Sequence, residues 1–155
     1  MRDPELESDF PGLIDSAYEP KSDKDPNYNC VAFALGDDKT FWEDVRFNGR
    51  RVKGYYWLDG ISDQTMTGWL ELFSKHGYSE SGDATLEVDF ERIAIYGSNE
   101  TPLHVARQKG SGVWVSKLGE GKDIEHTLAG LEGELYGKVA KIMRRKCKDG
   151  RRVLE

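Results

Sequence analysis

Cysteine is nearly absent from this chain. Its 155 residues hold two, Cys30 and Cys147, with no CxxC and no metal-ligand spacing. That excludes a disulfide framework and a structural zinc site. Histidine is scarce too, at positions 76, 104 and 126. The spacing of the three sets up no metal site, and no cofactor is expected. No apolar run approaches the ~20 residues that a membrane helix needs. The first residues, Met1-Arg2-Asp3-Pro4-Glu5, lack the apolar stretch of a secretory leader. A cytoplasmic location is the expectation, with export through a specialised secretion system as the exception. No P-loop, GxGxxG or GxSxG occurs, and no internal repeat.

Charge, by contrast, is plentiful: 32% of residues are charged and the net charge is −6. An acidic body argues against general nucleic-acid binding. The run 144–152 is the exception, with six basic residues and one acidic. It reads as a solvated basic tail over 144–155. The length suits a single domain. Residues 1–27, rich in Asp, Glu, Pro and Ser, read as an extended lead-in anchored by Phe10, Leu13, Ile14 and Tyr18. The domain proper is expected over 28–143.

Periodicity predicts the elements inside it. Met66, Trp69, Leu70 and Phe73 recur at helical spacing within 63–77, and Gly77 stops the helix, with His76 set against its C-terminal dipole. Residues 37–60 read as loop with short pieces of strand, carrying turns at Asn48-Gly49 and Asp59-Gly60. Trp42, Trp57 and Trp69 are core candidates. Strands are predicted over 90–97, 103–108, 113–118 and 136–143, the middle two forming a hairpin around Lys-Gly-Ser-Gly. Residues 123–133 suit a short helix or a long loop. Helices followed by an antiparallel meander make an α+β fold.

The most telling stretch is Asn27-Tyr28-Asn29-Cys30-Val31-Ala32-Phe33-Ala34-Leu35-Gly36. Asn29 is an N-cap, the apolar run starts a helix, and Gly36 stops it. Cys30 therefore sits in the first turn, where free N–H groups and the dipole favour a thiolate. A thiolate there is a nucleophile in search of a base. His104, on a later strand, is the candidate.

A Cys on an N-terminal helix, a His on a later strand and a polar residue on the next strand resemble compact papain-like hydrolases of the NlpC/P60 and CHAP type. The resemblance implies a papain-like fold and hydrolysis of an amide or ester, or acyl transfer. Cys30 would be the nucleophile and His104 the general base. The Cys30 N–H and the Asn29 amide would hold the oxyanion, with Tyr28 in support. Hairpin register decides the third group. An even loop sets Lys117 opposite His104, whereas an odd loop sets Ser116 on its face. Ser116 is expected, because a cation cannot accept from an imidazolium. Asp123, Glu125 and His126 form a second polar cluster that folds back toward the site. Substrates would be a peptide, a peptidoglycan stem or a protein side chain; the rival is a non-catalytic binding module or immunity-type partner protein. A closer resemblance runs through Tyr28-Asn29-Cys30-Val31-Ala32-Phe33-Ala34, Pro102-Leu103-His104-Val105-Ala106-Arg107-Gln108, Trp114-Val115-Ser116-Lys117-Leu118-Gly119, Asp123-Ile124-Glu125-His126 and Tyr136-Gly137-Lys138-Val139. In that order these segments are similar to an uncharacterised family of small bacterial proteins, a domain of unknown function.

Overall fold

The computed structural model describes residues 2–148. Asp3 starts the first helix, α1 (Pro4–Asp9): its carboxylate accepts from the N–H groups of Glu5 and Leu6, and Pro4 needs no N–H partner at that position. A 3₁₀ turn, Pro11–Leu13, and the strand β1 (Glu19–Pro20) follow. The lead-in is thus not simply extended. Leu6, Phe10, Leu13 and Tyr18 are buried, while Ile14 is exposed. Four buried apolar side chains at roughly 1.5–3 kcal/mol each hold a local helix that composition alone disfavours.

The helix α2 (Cys30–Ala34) begins where its N-cap requires, with Asn29 Oδ1 accepting from Ala32 N. Next come the short strands β2 (Phe41–Trp42), β3 (Arg46–Phe47), β4 (Arg50–Arg51) and β5 (Tyr55–Tyr56), which form two small two-stranded sheets. The helix α3 (Met66–Ser74) is capped by Thr65 and buries Met66, Trp69, Leu72 and Phe73. His76 Nδ1 lies 3.0 Å from the Leu72 carbonyl at its C-terminal end. Then come β6 (Ser79–Ser81), β7 (Phe90–Ser98), β8 (Thr101–Gln108), β9 (Trp114–Lys117), β10 (Asp123–His126), a 3₁₀ turn at Ala129–Leu131, and β11 (Lys138–Lys146). Among the described residues no helix is long and apolar enough to cross a membrane.

Seven strands form one antiparallel sheet in the order β1-β10-β9-β8-β7-β11-β6. The architecture is mixed α and β, dominated by this sheet. Period-two alternation gives it two apolar faces. On one, Ile93, Ile95, Val105 and Met143 pack with Cys30, Val31, Ala34 and the α3 side chains. On the other, Ala94, Tyr96, Ala106, Trp114 and Ile124 pack with Leu6, Phe10, Leu13 and Leu131.

Two expectations are corrected. Residues 123–126 are strand, not helix or loop. Ile124 and His126 are wholly buried, and pairing on both sides, with β9 and β1, overrides a weak local signal. The basic run is not a tail from 144 onward either. Arg144–Lys146 belong to β11, and Cys147 is buried with its N–H donated to Asp89 O at 2.8 Å. Of the predicted tail, 149–155 lie outside the described residues.

A buried ion cluster ties α2 to the sheet. Arg107 on β8 has no exposure and pairs with Glu91 Oε1 at 2.6 Å, and Arg145 Nε reaches Glu91 Oε2 at 2.7 Å. Arg107 Nη1 also donates to the Ala34 carbonyl, capping the C-terminal end of the Cys30 helix. Breaking such a buried pair costs about 3–5 kcal/mol.

Candidate functional site

The site begins with a ladder that stops early. Strands β8 and β9 pair only at Arg107↔Val115 and Gln108↔Trp114. Lys109 N donates to Val113 O at 2.8 Å, so the odd-numbered N–H groups of β8 face β9. Continued in register, Val105 would meet Lys117. Instead the strands part, and α2 packs against both. The Val105 N–H lies close enough to the Cys30 thiol to favour its thiolate. The thiol thus sits beside the residue next to His104, which comes 74 positions later in the chain.

His104 points to the other sheet face. It is directly opposite Tyr96 on β7 and almost fully buried. The Tyr136 ring stacks on it, with centroids 4.1 Å apart and planes 3° from parallel. Tyr96 tilts against it at 5.6 Å. Neither imidazole nitrogen has a hydrogen-bond partner among the described residues, Cys30 Sγ included. Burial, and next the nearby His126, hold its pKa well below the ordinary histidine range. The imidazole is neutral in this state.

Cys30 is also neutral. Burial pushes its thiol up to about 11, against the lowering pull of the Val105, Val31 and Cys30 N–H groups and of Lys117. A helix N-terminus is worth about 0.3–1 kcal/mol to an anion, less than the several kcal/mol lost on desolvating one. The dipole favours the thiolate as the sequence suggests, but burial outweighs it.

The hairpin loop has the odd length, so Ser116 shares the His104 face. It does not reach His104. Its Oγ lies 2.8 Å from His126 Nε2, while His126 Nδ1 lies 2.8 Å from Thr127 O. The Nδ1–H therefore donates to the carbonyl and Nε2 accepts from the serine. Burial lowers the His126 pKa to about 4. The expected orienter of His104 is occupied by a second buried histidine.

Supporting residues are engaged elsewhere. Asn29 Nδ2 donates to Trp42 O at 2.8 Å, and its Oδ1 accepts from Ala32 N and Trp42 N. As an oxyanion donor Asn29 is therefore corrected: its amide is spent as a helix cap and a strut to β2. Tyr28 donates to Asp123 Oδ2 at 2.9 Å. Lys117 Nζ donates to Asp25 O and Gly119 O and lies 4.8 Å from the Tyr28 ring centroid. Burial raises Asp123, lowers Lys117 and raises Tyr28. This group staples the segment before Cys30 to the β9–β10 turn. Glu125 is apart from it, paired with Lys109 at 2.6 Å. Among the described residues no three His, Cys, Asp or Glu side chains group to hold a metal.

Sequence reasoning missed Tyr136, the closest neighbour of the His104 ring. It rides on a loop pinched at its base, where Gly133 and Gly137 exchange two backbone hydrogen bonds of 3.0 and 2.9 Å. Gly137 has φ of 70°, and a Cβ there would lie 2.4 Å from Gly97 O. The two glycines of Gly-Glu-Leu-Tyr-Gly were the available signal.

The chain belongs to a family described as a domain of unknown function (DUF7689), whose model matches residues 19–144. The match runs from β1 into β11 and takes in Cys30, His104, Ser116, His126 and Tyr136. No curated protein and no solved structure matches the chain.

Proposed function

We propose that this protein is a cysteine-dependent amide hydrolase or acyltransferase of papain-like type, held here in a closed state. Cys30 is the nucleophile and His104 the general base. One observation carries the reading: α2 packs into the β8–β9 fork and sets Cys30 beside the Val105 N–H. That contact holds a nucleophile on a helix N-terminus against the strand that bears the base.

The chemistry follows from the residues. In an opened, hydrated site the thiol falls below its buried value of about 11 and the imidazole rises. Water admitted at the β8–β9 fork relays the thiol proton to His104 on the other face, and the thiolate attacks an amide carbon. The C–N bond breaks, and the amine leaves with the proton from the imidazolium. Water, deprotonated by His104, then cleaves the thioester; an amine in its place completes acyl transfer. Free N–H groups in the first turn of α2 suit the developing oxyanion. The substrate would be a peptide, a peptidoglycan stem or a protein side chain.

A second reading is a non-catalytic module of the same build, binding a partner protein. It is favoured by Ser116, which bonds His126 and leaves His104 without an orienting side chain. Iodoacetamide labelling of Cys30, followed by mass spectrometry from pH 6 to 11, separates the two. Transient opening should give a neutral-pH labelling component that His104→Ala slows about tenfold or more. An unchanged rate and pH profile in His104→Ala would leave the binding module standing.

A further inference from the structure

Beside the Gly133–Gly137 loop lies a groove of about 480 Å³. Resting on the hydrolase reading, we infer that this groove seats the substrate. It takes a peptide with an apolar side chain next to a cationic one, and Tyr136 is the gate between groove and His104. Leu6, Phe10, Leu118, Leu135 and Tyr136 supply apolar surface. Leu135, about half exposed, extends the apolar wall at the loop tip. Phe10 lies 5.0 Å from Tyr136, centroid to centroid, and Tyr136 in turn stacks on the buried imidazole. The same ring therefore lines the groove and covers the base.

The charges at the rim choose the ligand. Asp3 pairs with Lys122 at 3.0 Å, and Glu5 with Lys24 at 3.2 Å. Asp9 and Glu120 also line the groove, and neither has an ion-pair partner among the described residues. Asp9 lies near enough to Tyr136 to disfavour its phenolate. Two uncompensated carboxylates repel phosphates and acidic peptides. Beside an apolar floor they complement a lysine or arginine that flanks a leucine-like side chain.

Tyr136 suits a gate. Its hydroxyl has no hydrogen-bond partner among the described residues, so its position rests on ring packing. The base of the loop is fixed by the Gly133–Gly137 pair, which leaves a three-residue tip to move. His104, nine-tenths and more buried with both nitrogens unpartnered, is the group that such a movement would release.

Binding is tested first, on the Cys30→Ala protein, so that turnover plays no part. Acetyl-Leu-Lys-amide, acetyl-Leu-Glu-amide and acetyl-Gly-Lys-amide are titrated by calorimetry. The leucyl-lysyl peptide should bind best. Asp9→Asn and Glu120→Gln should each weaken it about threefold, and together about tenfold, as exposed ion pairs allow. Equal binding of all three peptides, no binding at all, or indifference to both substitutions overturns the groove. The gate is tested on the full-length protein: Tyr136→Ala should speed iodoacetamide labelling of Cys30 at pH 7 about tenfold, while Tyr136→Phe, which keeps the stack, should not. Equal rates in the folded variants, checked by tryptophan fluorescence, overturn the gate. Peptide binding that survives when His104→Ala leaves labelling unchanged would sink the hydrolase reading alone. Charge-blind binding beside His104-dependent labelling would sink the groove alone.

Discussion

His126 and His104 occupy the same face of one sheet, both buried and both neutral, yet they are held in opposite ways. His126 has a partner for each nitrogen, Ser116 Oγ and Thr127 O, both at 2.8 Å. His104 has none among the described residues and is covered by the Tyr136 ring. A buried polar group with full hydrogen bonding specifies a structure; one without partners weakens it by about 1–3 kcal/mol. The first histidine is thus explained by the fold, and the second needs another reason. The hydrolase reading supplies one, since a base kept free of partners can engage a substrate.

The comparison breaks most visibly in stability. His126→Ala should cost about 3–4 kcal/mol in urea unfolding, because a cavity forms and a hydroxyl and a carbonyl lose their partner. His104→Ala should cost about 2 kcal/mol, the cavity alone. Equal losses would mean that the two sites are not different in kind.

Acid should sharpen it next. The folded-state pKa of His126 is depressed, so the unfolded chain binds its proton first. Stability is full above about pH 6.5 and falls by about 3 kcal/mol as pH drops to about 4. His104 acts in the same direction. Asp123, raised in the fold, takes its proton in the native state first and acts with the opposite sign. A pH series of urea midpoints should show a shallower slope for His126→Leu; an unaltered slope would remove His126 as its source.

A smaller effect has the opposite sign. His104→Leu replaces an unpartnered imidazole by an apolar side chain of similar volume. It should raise stability by about 1 kcal/mol while abolishing any neutral-pH labelling of Cys30. A loss of stability greater than that would show that the imidazole is a structural member of the core.

The smallest effects concern the cysteines. Cys30→Ala and Cys147→Ala should each cost about 1 kcal/mol, since each removes one buried sulfur. A cysteine in a solvated tail over 144–155 would make Cys147→Ala silent. A silent result in the unfolding curve would restore that view.

Several elements were legible in the residues. Asn29 before an apolar run predicts α2 with Cys30 in its first turn, and alternation in Ile93-Ala94-Ile95-Tyr96 and Leu103-His104-Val105-Ala106 predicts two central strands. The likeness to an uncharacterised family was carried by motifs spread along the chain and holds over 19–144. Other features were not legible. Asp123-Ile124-Glu125-His126 is too short for its periodicity to distinguish strand from loop, and its neighbours on both sides decide it. Cys147 sits in a basic run that reads as solvated until β11 carries it under Asp89. Ser116, expected on acceptor chemistry because Lys117 is a cation, shares the His104 face, but which of two histidines it bonds depends on where β10 lies.

The sequence by itself determined the local geometry: an N-cap, a cysteine behind it, a histidine on a strand, and a hairpin after it. These follow from propensities and periods that act over a few residues. Only the tertiary structure decided that β8 and β9 part and that Cys30 sits beside the Val105 N–H. It also decided that Tyr136 covers His104, and that burial outweighs the helix dipole and leaves the thiol near 11. Desolvation depends on every group packed around a charge, and those groups come from distant parts of the chain.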